Sequence, residues 1–203
     1  MKTEFVGLIS HELRTPLTAI YGFSEFLVES VNLPEDEHSW AEHVYREGHR
    51  LMDVTNELLD VSRIESGTVD ASLVPTAFNE ALAGALDSVR PKATERSINF
   101  VVESMAVDIV AGSSMLEHVL VNLVENAVKY SPSPSSVRIV AAAEGDTLTV
   151  MVEDKGIGIE EDDLANIFRP FSRSVTPENA HIRGSGLGLY LVKEFVTRMG
   201  GTI

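Results

Sequence analysis

The chain has 203 residues, of which 44% are hydrophobic and 23% charged, which is typical of one or two folded domains and argues against a disordered chain. The net charge of −15, from 16 Lys and Arg against 31 Asp and Glu, disfavours binding to nucleic acid or to an anionic membrane surface. The absence of cysteine excludes disulfides, thiolate metal sites and cysteine nucleophiles. No apolar run approaches the ~18 residues of a membrane span, and the N-terminus lacks the pattern of a signal peptide.

The first third of the chain has the periodicity of two helices joined by a turn. Apolar residues recur mostly every three or four positions in a first stripe (Phe5, Ile9, Leu13, Leu17, Ile20, Leu27) and in a second (Trp40, Val44, Leu51, Val54, Leu58, Val61). Pro34 and the acids after it suit a helix start, and Gly67 suits a helix end. Two such helices cannot enclose a core alone, so the pattern favours a homodimer with a four-helix bundle.

The rest of the chain mixes helical and strand patterns after a linker around residues 66–74. Helices are predicted at 80–96, 115–130 and 186–199, and strands at 98–102, 107–110, 137–143 and 147–153. Gly145-Asp146 marks a hairpin turn, and Gly200-Gly201 marks the end of the last helix. This order predicts an α/β sandwich, with a mixed sheet that carries helices on one face.

His11 is the unusual residue of the first predicted helix, because it falls roughly opposite the apolar stripe. Thr15 lies one turn further on the same face, and Glu12 lies on the flank. Such a histidine can be a nucleophile whose second ring nitrogen is held by the carboxylate, or an ordinary surface residue, and spacing alone leaves both open. Pro16 frees the Glu12 carbonyl and predicts a local kink. A zinc-protease motif would need a second histidine at position 15.

Two segments in the second part of the chain carry residues suited to a nucleotide. Asn122, Asn126 and Lys129 are spaced to share one face of the helix predicted at 115–130. Amide oxygens suit Mg²⁺, and a lysine suits phosphate. Asp154 follows a predicted strand and can accept a hydrogen bond from an exocyclic amine, while glycines at 156 and 158 allow the backbone to approach a flat base.

Two further segments follow in order, Ile167–Phe171 and the glycine-rich Gly184–Leu189, which precedes a helix whose N–H groups would attract phosphate. From Leu164 to Gly200 there are five basic residues and two acids, a locally positive stretch in an acidic chain. Each segment alone has an ordinary explanation as a turn, a core residue or flexible packing. Their order and spacing together are far more specific.

These segments strongly resemble the catalytic portion of the sensor histidine kinases of two-component systems. FVGLISHELRTPL, at residues 5–17, is similar to that family's H box. The N, G1, F and G2 boxes match residues 122–130, 154–159, 168–171 and 184–189 in the family's order. The resemblance covers nearly the whole chain, and five boxes in order make it specific.

The resemblance implies an α+β fold in two parts. A dimerisation and histidine-phosphotransfer domain, a helical hairpin that forms a dimeric four-helix bundle, is expected at 1–66, followed by a linker at 67–74. A catalytic ATP-binding domain, an α/β sandwich of the Bergerat ATPase type, is expected at 75–203. Only ten residues precede His11, and the chain stops where the family's next strand begins, so a C-terminally truncated fragment lacking the last strands is expected.

The resemblance also implies a role for each matching residue. His11 would be the phosphoacceptor, Glu12 the adjacent base, and Thr15 the residue that positions water for dephosphorylation. Asn126, with Asn122, would hold Mg²⁺. The other expected contacts with ATP are Lys129 and Tyr130 on the phosphate and ribose side, Asp154 at adenine, Arg173 in a lid that extends to Arg183, and the loop residues Gly156, Gly158, Phe171, Gly184, Gly186, Leu187 and Gly188.

The implied activity is autophosphorylation of His11 by ATP and transfer to an aspartate on a response-regulator receiver domain, together with phosphatase activity toward that regulator. The chain would be the cytoplasmic portion of a parent protein whose membrane attachment stays open, with no nucleic-acid or membrane contact of its own. An ATP hydrolase of the same superfamily is disfavoured, because such enzymes carry glutamate where this chain has Asn122. A non-catalytic nucleotide-binding scaffold remains an alternative, since the last strands are missing.

Overall fold

The computed structural model describes residues 16–30, 33–68, 72–104, 106–174, 176–177, 179, 182 and 184–203. The chain divides into two compact units, Met1–Val69 and Asp70–Ile203, and each is described by itself. The predicted H-box residues His11, Glu12 and Thr15 lie outside the described residues, as does the first half of the first apolar stripe.

Among its described residues, unit 1 has two helices. Helix α1 covers residues 16–28, and α2 covers Glu35–Ser66. Pro34 is the N-cap of α2, and acids at 35–37 occupy its first turn, where they interact favourably with the helix dipole. Gly67 ends α2 in a left-handed conformation with φ of 70°, and its N–H reaches the carbonyls of Arg63 and Ile64. Both predicted ends of the second helix are thus confirmed.

The contacts between α1 and α2 run in opposite directions along the two helices, which makes unit 1 an antiparallel hairpin. Val28 contributes its carbonyl 3.0 Å from His38 Nε2 next to the turn. Further along, the hydroxyls of Tyr21 and Tyr45 are hydrogen-bonded at 2.9 Å, and their rings are stacked with centroids 4.8 Å apart. This hydrogen bond raises the pKa of Tyr21 to about 12. A Cβ at Gly48 would lie 3.7 Å from Tyr21 Cα, which is ordinary van der Waals contact, so α1 and α2 pack directly against each other here.

Much of the apolar surface of the hairpin is exposed within one chain. Leu17 is buried, but large apolar side chains on both helices are exposed, with Phe23 and Phe26 at 71% and Trp40 at 68%, together with Ile20, Leu27, Val44 and Leu51. The apolar side chains of the two helices therefore do not bury one another within one chain. This agrees with the expectation that two helices of this length cannot enclose a core alone.

Unit 2 contains five strands and four helices among its described residues. In chain order they are β1 (Val74–Ala77), α3 (Phe78–Glu95), β2 (Ile98–Glu103), β3 (Asp108–Ala111), α4 (Ser113–Tyr130), β4 (Ser135–Glu144), β5 (Thr147–Glu153), α5 (Glu161–Leu164) and α6 (Gly188–Arg198). The predicted helices and strands are present with shifts of a few residues at their ends. Strand β1 and the one-turn helix α5 were not predicted.

The strands form two separate ladders. The larger sheet has the order β2-β4-β5, with β2 parallel to β4 and β4 antiparallel to β5. The predicted hairpin joins β4 and β5 at Gly145, whose φ of 58° suits a tight turn. The second ladder pairs β1 antiparallel with β3, so that Val74 lies opposite Ala111. The mixed sheet is therefore as expected, and β3 belongs to the small ladder beside it.

The core of unit 2 lies between the three-stranded sheet and helices α3 and α4. Its fully or nearly fully buried side chains come from both helices and from the sheet, namely Phe78, Leu82 and Val89 of α3, Leu120, Val124 and Val128 of α4, and Val137 and Ile139 of β4. The alternation of β4, in which residues 137, 139 and 141 are buried, fits a sheet with one covered face. This is the predicted arrangement of helices on one face.

The opposite face of the sheet carries an ion-pair cluster that spans three strands. Arg138 of β4 donates two hydrogen bonds to Glu103 of β2, at 2.8 and 3.0 Å, and one to Glu153 of β5 at 2.8 Å. These bonds hold the pKa of Glu103 below its ordinary value. All three side chains are exposed enough for solvent to weaken the attraction.

In the part of the chain that the structure describes, no helix is both long enough and apolar enough to span a membrane.

Candidate active site

Helix α4 presents a half-buried polar face opposite its core face. Leu120, Val124 and Val128 are buried against the sheet side. Asn122, Asn126 and Lys129, spaced by four and three residues, are all half-buried. Burial of the apolar side fixes the rotation of the helix, so the polar residues share the side expected from the sequence.

The glycine-rich loop before α6 lies directly on this polar face. A Cβ at Gly184 would be 2.7 Å from Lys129 Nζ, and one at Gly188 would be 2.5 Å from Asn122 Oδ1. Both distances are far shorter than ordinary van der Waals contact, so a Cβ at either position would have to displace the end of the Lys129 or the Asn122 side chain. The loop and α4 therefore form one continuous surface.

The loop after β5 contacts the C-terminal end of α4. Asp154 accepts a hydrogen bond from the Gly156 N–H, with its Oδ1 2.7 Å from that nitrogen. A Cβ at Gly156 would lie 2.8 Å from the Tyr130 carbonyl oxygen, so the backbone can pass here only without a side chain. Gly158 has a φ of 74°, a conformation that favours glycine. Asp154 is held at the edge of the α4 surface by this turn.

Phe171 joins the third predicted segment to the glycine-rich loop. A Cβ at Gly186 would lie 2.8 Å from the Phe171 carbonyl carbon, and Gly186 has a φ of 77°. Phe171 itself has a φ of 61°, unusual for an aromatic residue, and is 65% exposed. Phe168 is half-buried, with Lys193 Nζ of α6 5.6 Å from its ring centroid. The two segments are therefore neighbours in space as well as in sequence.

The segment between Arg173 and Ile182, termed the 173–182 segment, connects these two loops. Arg173 Nη2 donates to the Ile182 carbonyl at 2.5 Å, which joins the two ends of the segment. Thr176 lines a cavity of about 300 Å³ together with residues 157–160, which follow Asp154. No sequence pattern marks Thr176 or Asn179, and Asn179 is buried.

The structure thus brings together most of the predicted nucleotide-binding residues of unit 2. Contacts link Asn122 with Gly188, Lys129 with Gly184, Tyr130 with Gly156, and Phe171 with Gly186. Asn126 lies on the same helix face. The Leu187 side chain is fully buried, and its N–H donates to Ser185 Oγ at 3.1 Å. Leu187 therefore anchors the glycine-rich loop in the core.

The donor set of this surface fits a magnesium ion that is held mainly by phosphates. The Asn122 amide nitrogen donates to the His118 carbonyl at 3.0 Å, which leaves its oxygen on the side of Gly188. Amide oxygen is an acceptable ligand for Mg²⁺, which commonly takes only one or two protein ligands beside a nucleotide. Asn122 and Asn126 are the residues that would hold the ion.

Two family models match the chain. The phosphoacceptor domain called His Kinase A matches residues 1–67. The histidine kinase-, DNA gyrase B- and HSP90-like ATPase domain matches residues 111–203, which include the whole surface described above. The two matches follow one another in the same order as the boxes in the sequence.

Named relatives agree with these models. The chain is 34% identical to an uncharacterized sensor-like histidine kinase of Rhizobium meliloti, covering 100% of this chain and 39% of that protein. It is 33% identical to the autoinducer 2 sensor kinase/phosphatase LuxQ of Vibrio harveyi, covering 100% of this chain and 24% of LuxQ. The chain therefore spans well under half the length of these relatives.

A solved structure extends the similarity to three dimensions. Full-length ShkA in complex with AMPPNP superposes with a TM-score of 0.76 at 28% identity, covering 97% of this chain and 41% of ShkA. Fold and site together define an ATPase domain of the histidine kinase, DNA gyrase B and HSP90-like class, preceded by a phosphoacceptor domain. The chain belongs to the sensor histidine kinases of two-component systems.

Proposed function

We propose that this chain binds MgATP on the α4 surface and transfers its γ-phosphoryl group to His11. The observation that carries the proposal is the set of close glycine contacts that joins four separate segments into one surface around Asn122, Lys129 and Asp154. ShkA, which shares this fold, was solved with an ATP analogue. Lys129 would pair with phosphate, Asp154 would accept a hydrogen bond from adenine, and Arg173 belongs to the segment expected to cover the nucleotide.

The phosphoryl transfer would use His11 and Glu12 together. One imidazole nitrogen attacks the γ-phosphorus in line, so a nitrogen–phosphorus bond forms as the bond to the ADP oxygen breaks. Glu12 holds the N–H of the other ring nitrogen and supports the positive charge that develops on the ring. Bound Mg²⁺ would neutralise charge on the phosphates. Asn122 and Asn126 would orient the ion from α4.

The phosphoryl group would then pass to an aspartate on the receiver domain of a response regulator. We further propose a phosphatase activity toward that regulator, and LuxQ carries both activities in its name. Thr15, spaced one helical turn after His11, has a hydroxyl that can donate and accept hydrogen bonds and could orient the attacking water. His11 would thus serve phosphoryl transfer, and Thr15 would serve the separate hydrolysis of the phosphorylated regulator.

The helical hairpin would form a homodimer. Its exposed apolar side chains, Phe23, Phe26 and Trp40 among them, lie on both helices, and burying apolar surface contributes about 25 cal/mol per Å². A second hairpin supplies the matching surface in a four-helix bundle. We propose domain limits of 1–66 for this phosphotransfer domain, 67–74 for the linker and 75–203 for the catalytic domain.

The proposal is tested by incubating the chain with γ-labelled ATP and Mg²⁺. We expect label that acid removes and alkali does not, as for phosphohistidine. His11→Gln should abolish this label yet bind an ATP analogue as well as the original chain does, because the nucleotide contacts lie in another domain. His43→Gln is the matched control, since it removes a different histidine, and should be labelled normally. Acid-labile label on His11→Gln would show that the acceptor is assigned wrongly.

A further inference from the structure

The turn after α3 and the turn after α4 are joined by side-chain hydrogen bonds. Arg96, the residue that ends α3, donates from Nη2 to the Ser131 carbonyl at 2.9 Å. In return, Ser133 Oγ donates to the Arg96 carbonyl at 2.5 Å. We term these two bonds the Arg96 clamp. Since Ile98 pairs with Ser135 directly after the two turns, the clamp lies at the start of the parallel pairing between β2 and β4.

The clamp acts on the C-terminal end of α4, because Ser131 is the C-cap of that helix. The last four carbonyls of a helix have no partner within it, and they form the negative end of the helix dipole. The Arg96 guanidinium donates to one of these carbonyls and brings a positive charge to the same place. Ser131 is only 1% exposed, so water has little access as an alternative partner. Arg96 therefore stabilises the last turn of α4.

This last turn carries two residues of the candidate nucleotide surface. Lys129 Nζ would lie 2.7 Å from a Cβ at Gly184, and the Tyr130 carbonyl oxygen would lie 2.8 Å from a Cβ at Gly156. Ser131 follows these two residues directly in the chain. The clamp thus holds the end of α4 at the place where it contacts the glycine-rich loop and the loop after β5.

We propose that Arg96 is a positioning residue for nucleotide binding, which keeps the last turn of α4 formed so that Lys129 and Tyr130 are in place before ATP binds. The inference rests on the ATP-binding function proposed above. Helix ends fray, and a chain whose last turn is open lacks two of the expected nucleotide contacts. The apparent affinity for ATP then falls with the fraction of chains in which the turn is formed.

The test compares binding of AMPPNP with Mg²⁺ to the 203-residue chain and to Arg96→Ala by calorimetry. We expect roughly threefold weaker binding, because one ordinary hydrogen bond shifts an equilibrium such as helix fraying by about two- to tenfold. Arg96→Lys keeps a charged donor for the Ser131 carbonyl and should bind more tightly than Arg96→Ala. Ser133→Ala is the milder variant, because it removes only the second bond of the clamp. Its affinity should lie between those of Arg96→Ala and the unsubstituted chain.

Two matched controls remove similar groups from α3. Arg90→Ala removes an exposed arginine whose hydrogen bonds reach Asp87 of the same helix, at 3.0 and 3.2 Å. Ser88→Ala removes a hydroxyl that donates to the Ala85 carbonyl, also within α3. Neither bond joins α3 to α4, so both variants should bind AMPPNP normally. An equal loss of affinity in Arg90→Ala and Arg96→Ala would mean that the lost charge alone explains the effect, and would overturn the proposal.

Two further readouts separate positioning from a general loss of stability. In autophosphorylation, Arg96→Ala should raise the KM for ATP while kcat changes less, whereas loss of folded protein would lower kcat and leave KM unchanged. In a Lys129→Ala background, Arg96→Ala should cost less affinity for AMPPNP than it costs in the unsubstituted chain, because one of the contacts that it positions is gone. Equal losses in the two backgrounds would overturn the proposal.

The inference and the proposed function fail in different ways. If the unsubstituted chain binds AMPPNP and Arg96→Ala binds it equally well, the inference alone fails. If the unsubstituted chain binds no AMPPNP, the proposed function fails and takes the inference with it.

Discussion

Replacing Gly188 with alanine tests whether the loop before α6 must be glycine because of Asn122. Gly188 is the first residue of α6, and its backbone is not in the left-handed region, so alanine is conformationally acceptable there. The new Cβ would lie 2.5 Å from Asn122 Oδ1, whereas ordinary contact begins at 3.4 Å. The carboxamide must therefore move by roughly 1 Å, as steric exclusion in a close-packed interior requires.

The substitution should leave the free energy of unfolding nearly unchanged but should weaken nucleotide binding. Turning the amide away breaks the bond from Asn122 Nδ2 to the His118 carbonyl, at a cost of about 1 kcal/mol. Alanine in place of glycine in a helix returns up to about 1 kcal/mol, so the free energy of unfolding should change little. Asn122 is one of the two residues proposed to hold Mg²⁺, and its displaced oxygen would lose that role, so we expect AMPPNP to bind about tenfold more weakly.

The assay is calorimetric titration with AMPPNP and Mg²⁺, alongside urea unfolding. Gly84→Ala is the matched control, because nothing lies within 4 Å of a Cβ at that helical position of α3. It should raise the free energy of unfolding by about 0.5–1 kcal/mol and leave binding unchanged. In an Asn122→Ala background, Gly188→Ala should cost no further affinity, since the atom that it displaces is gone.

Two results would refute this reasoning. One is unchanged AMPPNP affinity in Gly188→Ala, which would mean that the position of Asn122 is not important for binding. The other is an equal loss of affinity from Gly188→Ala with and without Asn122, which would assign the effect to the backbone of the loop.

Three further predictions concern the rest of the chain. Glu103→Gln should slightly lower the free energy of unfolding at neutral pH, because the pKa of Glu103 is lower in the folded chain than its ordinary value of about 4.5 and the ionised carboxylate therefore stabilises the fold. This difference between the two chains should vanish as the pH falls through the lowered folded pKa. Equal free energies of unfolding at all pH values would count against the ion pair with Arg138. Phe26→Glu should shift the chain from dimer to monomer in sedimentation, whereas Glu29→Gln, also exposed on the helical hairpin, should not. Thr15→Ala should slow decay of a phosphorylated regulator far more than it slows autophosphorylation, and equal losses would point to a disturbed helix.

The sequence predicted the structure best where an apolar period or a glycine is compatible with only one local conformation. The apolar side of α4 is continuous, so the shared face of Asn122, Asn126 and Lys129 follows from geometry alone. Gly67 ends α2 because a left-handed residue was needed there. The glycines at 184 and 188 were expected as phosphate-binding backbone, but their packing against Lys129 and Asn122 could not be foreseen, since it depends on contacts between distant segments.

The features that escaped prediction are short or depend on long-range partners. Strand β1 has four residues, includes Pro75, and pairs with β3, more than 30 positions away, so no local period marks it. Helix α3 begins at Phe78 without a side-chain cap, so the sequence pattern predicts its start two residues late, at Glu80. Asn179 has no signature at all, because an asparagine in a loop is ordinary until its partners are known.

The central claim is that His11 is the phosphorylated residue, and the direct measurement is the position of the phosphoryl group after reaction with MgATP. The chain has six histidines, so acid lability alone does not identify the acceptor. Mass spectrometry of peptides prepared at neutral to alkaline pH should find the phosphoryl group on His11, in the peptide that also contains Glu12. Phosphorylation on any other histidine, or on none, would contradict the account.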